Sequence, residues 1–281
     1  MSHPRSWPAP AKLNLFLHIT GRRPDGYHDL QTVFQLIDLC DTIDIDVRDD
    51  GRIERGAGAE GVPADADLVV RAARALQQAT GCSRGADIVV TKRIPMGGGL
   101  GGGSSDAATL LLALNRVWDC GLSVGELAAI GVKLGADVPV FVHGASAWAE
   151  GVGEQLRPLE LPQTWYVIVH PRVHIPTAEL FQAPELTRNT PPITIAGFSQ
   201  SGGRNDFEPV ARARYPEVAR ALDWLDRQQA PARLTGTGSC IFAACASRGQ
   251  AELIAGRVPP EWRGFAARGL AVSPVRALLG S

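Results

Sequence analysis

Seven consecutive positions about one third of the way along the chain, residues 97–103, hold six glycines and one leucine. Glycine loses more backbone entropy on folding than any other residue, so such a run is disfavoured inside a helix or strand. The run lies between a predicted strand at 86–91 and a predicted apolar helix that begins near Ser104 and Ser105. A flexible linker is not expected directly between two such elements. Bare backbone N–H groups that converge on a helix N-terminus bind phosphate, so the run predicts a phosphate-binding loop.

The common phosphate motifs fit this run poorly. A P-loop needs a lysine directly after its glycines, and the HRD and DFG elements of protein kinases are absent. Gly97, Gly99 and Gly102 satisfy GxGxxG, but the acidic residue about 20 positions on is Asp119, at a predicted helix end rather than a strand end. An NAD(P)-dependent oxidoreductase is therefore the least favoured interpretation, and a nucleotide site of another design remains.

Composition limits the partners. The 281 residues carry a formal net charge of −1 and are 45% hydrophobic, so no basic field exists to bind nucleic acid. No apolar run reaches the ~18 residues of a membrane span, and the N-terminus lacks a signal peptide. We expect a cytoplasmic protein without a membrane or nucleic-acid partner. The five cysteines form no CxxC pair and are expected to be reduced thiols, mostly buried.

Periodicity predicts an α+β protein with a division into residues 1–155 and 156–281. In the first part we predict strands at 13–19, 33–36, 43–47 and 86–91, and helices at 68–79, 107–118 and 123–134, the last with a capping box at Ser123 and Glu126. In the second part we predict strands at 165–170, 240–244 and 265–272, helices at 217–228 and 250–255, and a glycine turn at 234–238. Residues 48–65 and 183–204 are predicted to be loops.

Residues 95–108, Pro-Met-Gly-Gly-Gly-Leu-Gly-Gly-Gly-Ser-Ser-Asp-Ala-Ala, resemble the ATP-binding motif of the GHMP kinase superfamily of small-molecule kinases. Further segments that resemble this family are Pro-Ala-Lys-Leu-Asn-Leu at 10–15, Pro-Asp-Gly-Tyr-His-Asp-Leu at 24–30, Gly-Ala-Asp-Val-Pro at 135–139 and Leu-Thr-Gly-Thr-Gly-Ser-Cys at 234–240. The resemblance covers nearly the whole chain. It implies an N-terminal ribosomal-S5-like α/β domain, a C-terminal ferredoxin-like domain and a substrate cleft between them.

The Asp-Gly-Tyr-His element narrows the resemblance to the member that acts on a cytidine-diphosphate-linked methylerythritol. That member phosphorylates the 2-hydroxyl of the methylerythritol with ATP, in the non-mevalonate route to isoprenoid precursors. The resemblance thus implies two small-molecule substrates, ATP and the cytidine compound, with Mg²⁺ arriving on ATP. We assign no metal held by the protein alone, since Pro171 lies between His170 and His174 and argues against a helical zinc pair.

The resemblance also implies individual roles. Asp137 would accept the proton of the substrate hydroxyl, and Lys12 would keep that carboxylate charged. The residues implied to bind ATP are Pro95, Met96, Gly97, Gly98, Gly99, Leu100, Gly101, Gly102, Gly103, Ser104 and Ser105, with either serine able to cap the helix or to meet Mg²⁺. The residues implied to bind the acceptor are Asn14, Tyr27, His28, Thr177, Phe181, Gly236 and Gly238.

Other interpretations remain open. The chain could be another GHMP kinase, of the homoserine or mevalonate type, or a catalytically inactive nucleotide-binding module. Taken singly, Asp137 could cap a helix, Thr177 could be a helix N-cap and Phe181 could be an ordinary core residue. We expect a monomer or a homodimer.

Overall fold

The computed structural model describes residues 6–58, 61–228 and 231–280. The strands of the described residues are β1 (Ser6–Arg22), β2 (His28–Arg48), β3 (Ile53–Arg55), β4 (Gly85–Thr91), β5 (Ala147–Glu150), β6 (Gln155–Pro158), β7 (Trp165–His170), β8 (Arg233–Leu234), β9 (Ile241–Cys245) and β10 (Arg263–Leu270). The helices are α1 (Leu68–Thr80), α2 (Gly102–Val117), α3 (Val124–Gly131), α4 (Val138–His143), α5 (Thr177–Gln182), α6 (Ile195–Ser201), α7 (Glu208–Arg214), α8 (Pro216–Asp226), α9 (Arg248–Gly256) and α10 (Val275–Leu279). A short 3₁₀ turn spans Ala64–Ala66.

The first half is built on a long antiparallel hairpin of β1 and β2, which also pairs with β4 and β5. The predicted strands lie inside β1 and β2 but are too short. Register shifts at three places, such as Pro10/Ala11, let the strands bend and continue past residues that break the apolar alternation. Helix α2 packs under this sheet and is buried from Ser105 to Leu114.

The second half follows a βαββαβ order. Its strands lie in the order β10-β7-β9-β8 and all pair antiparallel, with α8 between β7 and β8 and α9 between β9 and β10. This is the ferredoxin-like arrangement, so the expected C-terminal topology and the α+β class are confirmed.

Two large cores lie in the two halves, and each borrows residues from the other half. Leu17 and Ile19 of β1 belong to the second core, whereas Val275 of α10 belongs to the first. A smaller third cluster joins Leu13 and Leu100 to Tyr166 and Phe242. The chain therefore connects its halves by shared strands, and the division at 155/156 remains a prediction.

Several local predictions need correction. The segment 183–204 is not wholly a loop, because Thr194 caps the short helix α6 there. The predicted loop 48–65 contains β3. The capping box at Ser123 is confirmed, but α3 ends at Gly131 rather than near Leu134. All five cysteines are free, with Cys240 and Cys245 buried and the other three only partly so. No described helix is both long enough and apolar enough to cross a membrane.

Candidate active site

The glycine run lies in the loop between β4 and α2. Gly97, Gly99 and Gly101 have positive φ angles of 65°, 75° and 72°. A Cβ on Gly99 would lie 2.2 Å from the carbonyl oxygen of Thr235, so backbone packs against backbone there. Leu100, the one side chain in the run, is buried in the third cluster. The glycines are therefore required by close packing as well as by φ, and the leucine fixes the loop to the core.

The loop separates two cavities. The smaller, about 440 Å³, is lined by the whole run together with Lys92, Asp106 and the start of α1. The larger, about 910 Å³, lies on the other side and receives residues from both halves of the chain. Gly97, Gly99, Gly101 and Ser104 line both cavities. The N-terminus of the 16-residue helix α2, with its free N–H groups and positive dipole end, begins at this wall and favours phosphate.

An ion cluster lies beside the smaller cavity. The Lys92 ammonium contacts Asp106 Oδ2 at 2.6 Å and also Asp41 Oδ2. Asp41 is fully buried, and its other oxygen accepts the backbone N–H groups of Arg93 at 2.5 Å and Ile94 at 2.8 Å. Lys92 therefore connects the strand that enters the loop to the helix that leaves it.

Charge in this cluster is incompletely compensated. Burial raises the pKa of Asp106 to about 7, against the opposing effect of Lys92. Burial lowers the pKa of Lys92, but the two carboxylates outweigh that effect and raise it. Asp106 Oδ1 is buried and has no hydrogen-bond partner in the described part of the chain. One ammonium serves two buried carboxylates, so the cluster carries an excess of negative charge when both are ionised.

The two serines at the start of α2 differ. Neither caps the helix, because the N-cap is Gly101 and no side chain makes a capping bond. Ser105 is fully buried and donates to the Pro10 carbonyl at 2.6 Å, whereas Ser104 lines both cavities. The prediction that either serine caps the helix is thus wrong, and Ser105 fastens α2 to β1 instead.

The residues near the loop fit a magnesium ion that is held mainly by phosphate. Mg²⁺ prefers hard oxygen ligands and often takes only one or two from the protein. Ser104 lines both cavities, and Asp106, whose Oδ1 has no partner among the described residues, lines the smaller one. No group of three or more metal-binding side chains occurs in the described ranges.

Lys12 and Asp137 meet in the larger cavity. Lys12 Nζ lies 3.3 Å from Asp137 Oδ2 although 125 positions separate the residues. The lysine is almost fully buried, and its ammonium also donates to Asn14 Oδ1 at 2.5 Å. The carboxylate is about one-third exposed and faces the cavity. A held cation beside an accessible carboxylate is suited to proton transfer next to developing negative charge.

Asp137 does not serve as a helix cap. It occupies the N-cap position of α4, but its backbone is in the α region and its side chain makes no capping hydrogen bond. Its carboxylate is directed to Lys12 and the cavity instead. The interpretation of Asp137 as a helix cap is therefore wrong.

Aromatic groups gather at the far end of the larger cavity. The ring of His28 stacks on Phe181 with centroids 5.1 Å apart, and Phe181 packs edge-on against Phe207 at 4.8 Å. Tyr27, in the turn after Gly26, is 65% exposed and lines the same cavity. An exposed aromatic face beside a stacked pair is suited to holding a planar base.

The other predicted acceptor residues line this cavity too. Asn14 is buried and donates from Nδ2 to Thr32 Oγ1 at 3.0 Å. Thr177 is not a helix N-cap, since Pro176 holds that position in α5, and its hydroxyl bonds that of Thr237 at 3.0 Å. Gly236 and Gly238 have positive φ angles of 56° and 85°. The structure thus brings together Asn14, Tyr27, His28, Thr177, Phe181, Gly236 and Gly238 with Lys12 and Asp137.

Sequence reasoning missed several residues of the site. Asp41 and Asp106 carry no sequence signal that pairs them with Lys92, although the scarcity of lysine in the chain (three of the 28 basic residues) hints at that position. Arg188 lies in a predicted loop and is one arginine among many. Its Nε donates to His28 Nε2 at 3.2 Å. His174 lines the larger cavity close to Gly97 rather than pairing with His170.

A glycine loop that separates a cavity of about 440 Å³ from a larger cavity, with aromatic lining and a lysine–aspartate pair, is the arrangement expected of a class of small-molecule kinases. Residues 67–145 match the model of the N-terminal domain of GHMP kinases, and residues 188–263 match that of the C-terminal domain. The crystal structure of a mevalonate kinase, 16% identical, shares the fold with a TM-score of 0.69 over 94% of this chain and 98% of that one.

Two comparisons narrow the class. The chain is 57% identical to a 4-diphosphocytidyl-2-C-methyl-D-erythritol kinase of Cupriavidus necator, over 98% of this chain and 96% of that protein. The crystal structure of a 4-(cytidine 5'-diphospho)-2C-methyl-D-erythritol kinase is 32% identical and superimposes with a TM-score of 0.84, covering 94% of this chain and 98% of that one. The chain belongs to the 4-diphosphocytidyl-2-C-methyl-D-erythritol kinases, within the GHMP kinases. The resemblance noted in the sequence is confirmed.

Proposed function

We propose that this protein transfers the γ-phosphoryl group of ATP to the 2-hydroxyl of 4-diphosphocytidyl-2-C-methyl-D-erythritol, a step of the non-mevalonate route to isoprenoid precursors. The observation that carries the proposal is the placement of Lys12 and Asp137 in one cavity with Tyr27, His28 and Phe181. The family membership agrees with it.

The proton of the acceptor hydroxyl goes to Asp137. Its carboxylate is accessible from the cavity, and Lys12 Nζ at 3.3 Å keeps a positive charge beside the attacking oxygen as negative charge develops there. Asn14 orients Lys12, because its Oδ1 accepts from the ammonium and its Nδ2 is held by Thr32. The pair thereby acts as a fixed unit without rearrangement during the reaction.

The phosphate groups of ATP bind the glycine loop and the start of α2 from the smaller cavity. Phosphoryl transfer has a loose transition state, so positioning and charge stabilisation supply most of the rate enhancement. Four residues of the loop wall face both cavities, which allows the γ-phosphoryl group and the hydroxyl to meet there. Mg²⁺ bound to the phosphates would neutralise their charge, with Ser104 as the protein ligand.

The larger cavity takes the cytidine end of the acceptor. Tyr27 and Phe181 supply faces for the base, and His28 addresses its polar edge. The homoserine and mevalonate kinases are not favoured as alternatives, because the chain matches the cytidine-type kinase far more closely than the mevalonate kinase.

The test is ADP release by the purified protein with ATP and Mg²⁺. We expect turnover with 4-diphosphocytidyl-2-C-methyl-D-erythritol and none with homoserine or mevalonate, and a new phosphate monoester at the 2-position in the ³¹P NMR spectrum of the product. Turnover of homoserine or mevalonate instead would overturn the acceptor. ATP binding without turnover of any acceptor would favour the inactive module.

The remaining expectations form part of the same proposal. A small-molecule kinase of this type acts in the cytoplasm and needs neither membrane nor nucleic acid. We propose a monomer or homodimer, divided into domains at 155/156, which size-exclusion chromatography with light scattering and limited proteolysis would test.

A further inference from the structure

We infer that Arg188 is a positioning residue that holds His28 with its proton on Nδ1, and that this tautomer makes the pocket select cytosine over uracil. The role presupposes the cytidine acceptor proposed above. It assigns base specificity to a residue that lies in the connection between α5 and α6, far from the Asp-Gly-Tyr-His segment in sequence.

The hydrogen bond between the two side chains has a defined direction. Arg188 Nε lies 3.2 Å from His28 Nε2. A guanidinium group has only donors, so Nε2 must present a lone pair. A neutral imidazole with an unprotonated Nε2 carries its proton on Nδ1.

Arg188 is itself held firmly. Its NH2 group donates to the carbonyl oxygens of Phe181 and Ala183, each at 2.8 Å, and its NH1 group donates to that of Leu186 at 3.0 Å. His28 is buried and stacked on Phe181, the residue whose carbonyl Arg188 binds. The arginine therefore fixes the aromatic wall and the tautomer of the histidine together.

The surrounding charges keep His28 neutral. Burial lowers its pKa, and the positive charges of Arg188 and Arg22 lower it further. A protonated ring would place an N–H group against the Arg188 Nε–H. The neutral form with the proton on Nδ1 is thus the one that the pocket supports near pH 7.

The free nitrogen then decides which base is accepted. No hydrogen bond among the described residues uses Nδ1, and His28 lines the larger cavity. A donor there can bond N3 of cytosine, which is an acceptor, but it opposes N3 of uracil, which carries a hydrogen. A site that leaves two donors facing each other rejects the wrong base by leaving buried groups unpaired.

The test compares binding of CDP and UDP by calorimetry, with the nucleotide site occupied by a non-hydrolysable ATP analogue. We expect the wild type to prefer CDP by roughly tenfold or more. In Arg188→Met the His28 ring can adopt either tautomer. The ratio of the CDP affinity to the UDP affinity should therefore fall toward 1. Arg22→Met is the matched control, because it removes a positive charge near His28 but no hydrogen bond to it, and the preference should stay.

A purely structural role for Arg188 would weaken CDP and UDP equally, and an unchanged ratio in Arg188→Met would overturn the assignment. The ¹⁵N NMR shifts of the His28 ring in the free protein give an independent result. A protonated Nδ1 in the wild type, lost in Arg188→Met, supports the assignment, and a protonated Nε2 in the wild type overturns it. Neither measurement requires turnover, so a failure of the proposed kinase activity would be seen separately in the ADP assay.

Discussion

The two sides of the glycine loop are built by opposite means. On the nucleotide side the lining comes largely from one continuous stretch of backbone, residues 95–104, supported by the buried cluster of Lys92, Asp41 and Asp106. On the acceptor side it comes from side chains that are spread from Lys12 to Gly238. In the proposed function, one side uses backbone to hold the phosphate groups that all nucleoside triphosphates share, and the other uses side chains to recognise one particular acceptor.

This difference between the two sides predicts which substitutions affect one substrate and which affect both. A change in an acceptor-side group should affect chemistry or acceptor binding and leave ATP binding intact. A change in the shared wall should affect both substrates. A substitution in the buried cluster of Lys92, Asp41 and Asp106 should first change the free energy of unfolding.

The largest effect is expected from Asp137→Asn. The amide keeps the size of the side chain and can still accept from Lys12 at the 3.3 Å contact, but it cannot take the proton. We expect kcat to fall by about 10²- to 10⁴-fold, with the KM for ATP near that of the wild type. Steady-state kinetics check this. Asp65→Asn, at an exposed surface pair with Arg74, is the control and should behave as the wild type. Near-normal turnover in Asp137→Asn would contradict the assignment of Asp137 as the general base.

Gly99→Ala should lower kcat/KM for both substrates. Its Cβ would lie 2.2 Å from the Thr235 carbonyl oxygen at a φ of 75°, so the wall must move. We expect kcat/KM for ATP and for the acceptor each to fall by about tenfold or more, since misplacement by 1 Å costs up to 10²-fold. Gly121→Ala is the matched control, with a φ of 71° and nothing within 4 Å of the new Cβ. Loss for only one substrate would contradict a shared wall.

Tyr27→Ala should affect the acceptor alone. The side chain is 65% exposed, so its loss should leave the fold intact. Stacking of a base on an aromatic ring contributes about 1–3 kcal/mol, so we expect the acceptor KM to rise by roughly tenfold while the KM for ATP stays. Tyr27→Phe keeps the ring and should retain most of the binding. An equal rise in both KM values would make Tyr27 a structural residue.

The smallest effect concerns Asp106 and pH. The unfolded chain releases this proton near the ordinary pKa of about 3.9, whereas the native protein holds it until about pH 7 because burial raises the pKa. Between these values the native state binds more protons, so this group lowers the free energy of unfolding as the pH rises.

Asp106→Asn removes the titrating carboxyl group and with it this pH-dependent contribution to the free energy of unfolding. Relative to the wild type, the variant should gain on the order of 1 kcal/mol in unfolding free energy between pH 6 and pH 8. Urea denaturation at the two pH values checks this. A difference between the two proteins that does not change with pH would show that Asp106 is ionised throughout.

The nucleotide side was largely predictable from sequence and the acceptor side was not. The glycine run predicts a loop of bare backbone because its backbone requirement is local, between a strand and a helix that periodicity also predicts. Nothing in spacing pairs Lys12 with Asp137, which meet only because β1 and the start of α4 converge on one cavity. Family resemblance supplied that pair.

The errors share a physical cause, which is that tertiary contacts override local patterns. Either Ser104 or Ser105 is predicted to be able to cap α2, but the close approach of β1 gives the Ser105 hydroxyl the Pro10 carbonyl instead. Arg188 could not be singled out, because its role depends on a histidine 160 positions away. The strand lengths were underestimated because bulges let β1 and β2 continue through polar positions.

The wall between the cavities is made where possible of residues without side chains. A layer of bare backbone is the thinnest partition that a polypeptide can build, and here Gly97, Gly99 and Gly101 line both cavities. Two molecules held on opposite faces of such a layer are kept in separate compartments along most of their length and can still touch at its edge. Such a thin layer has no spare room, so in the proposed reaction its three glycines would have to serve both substrates with a single conformation.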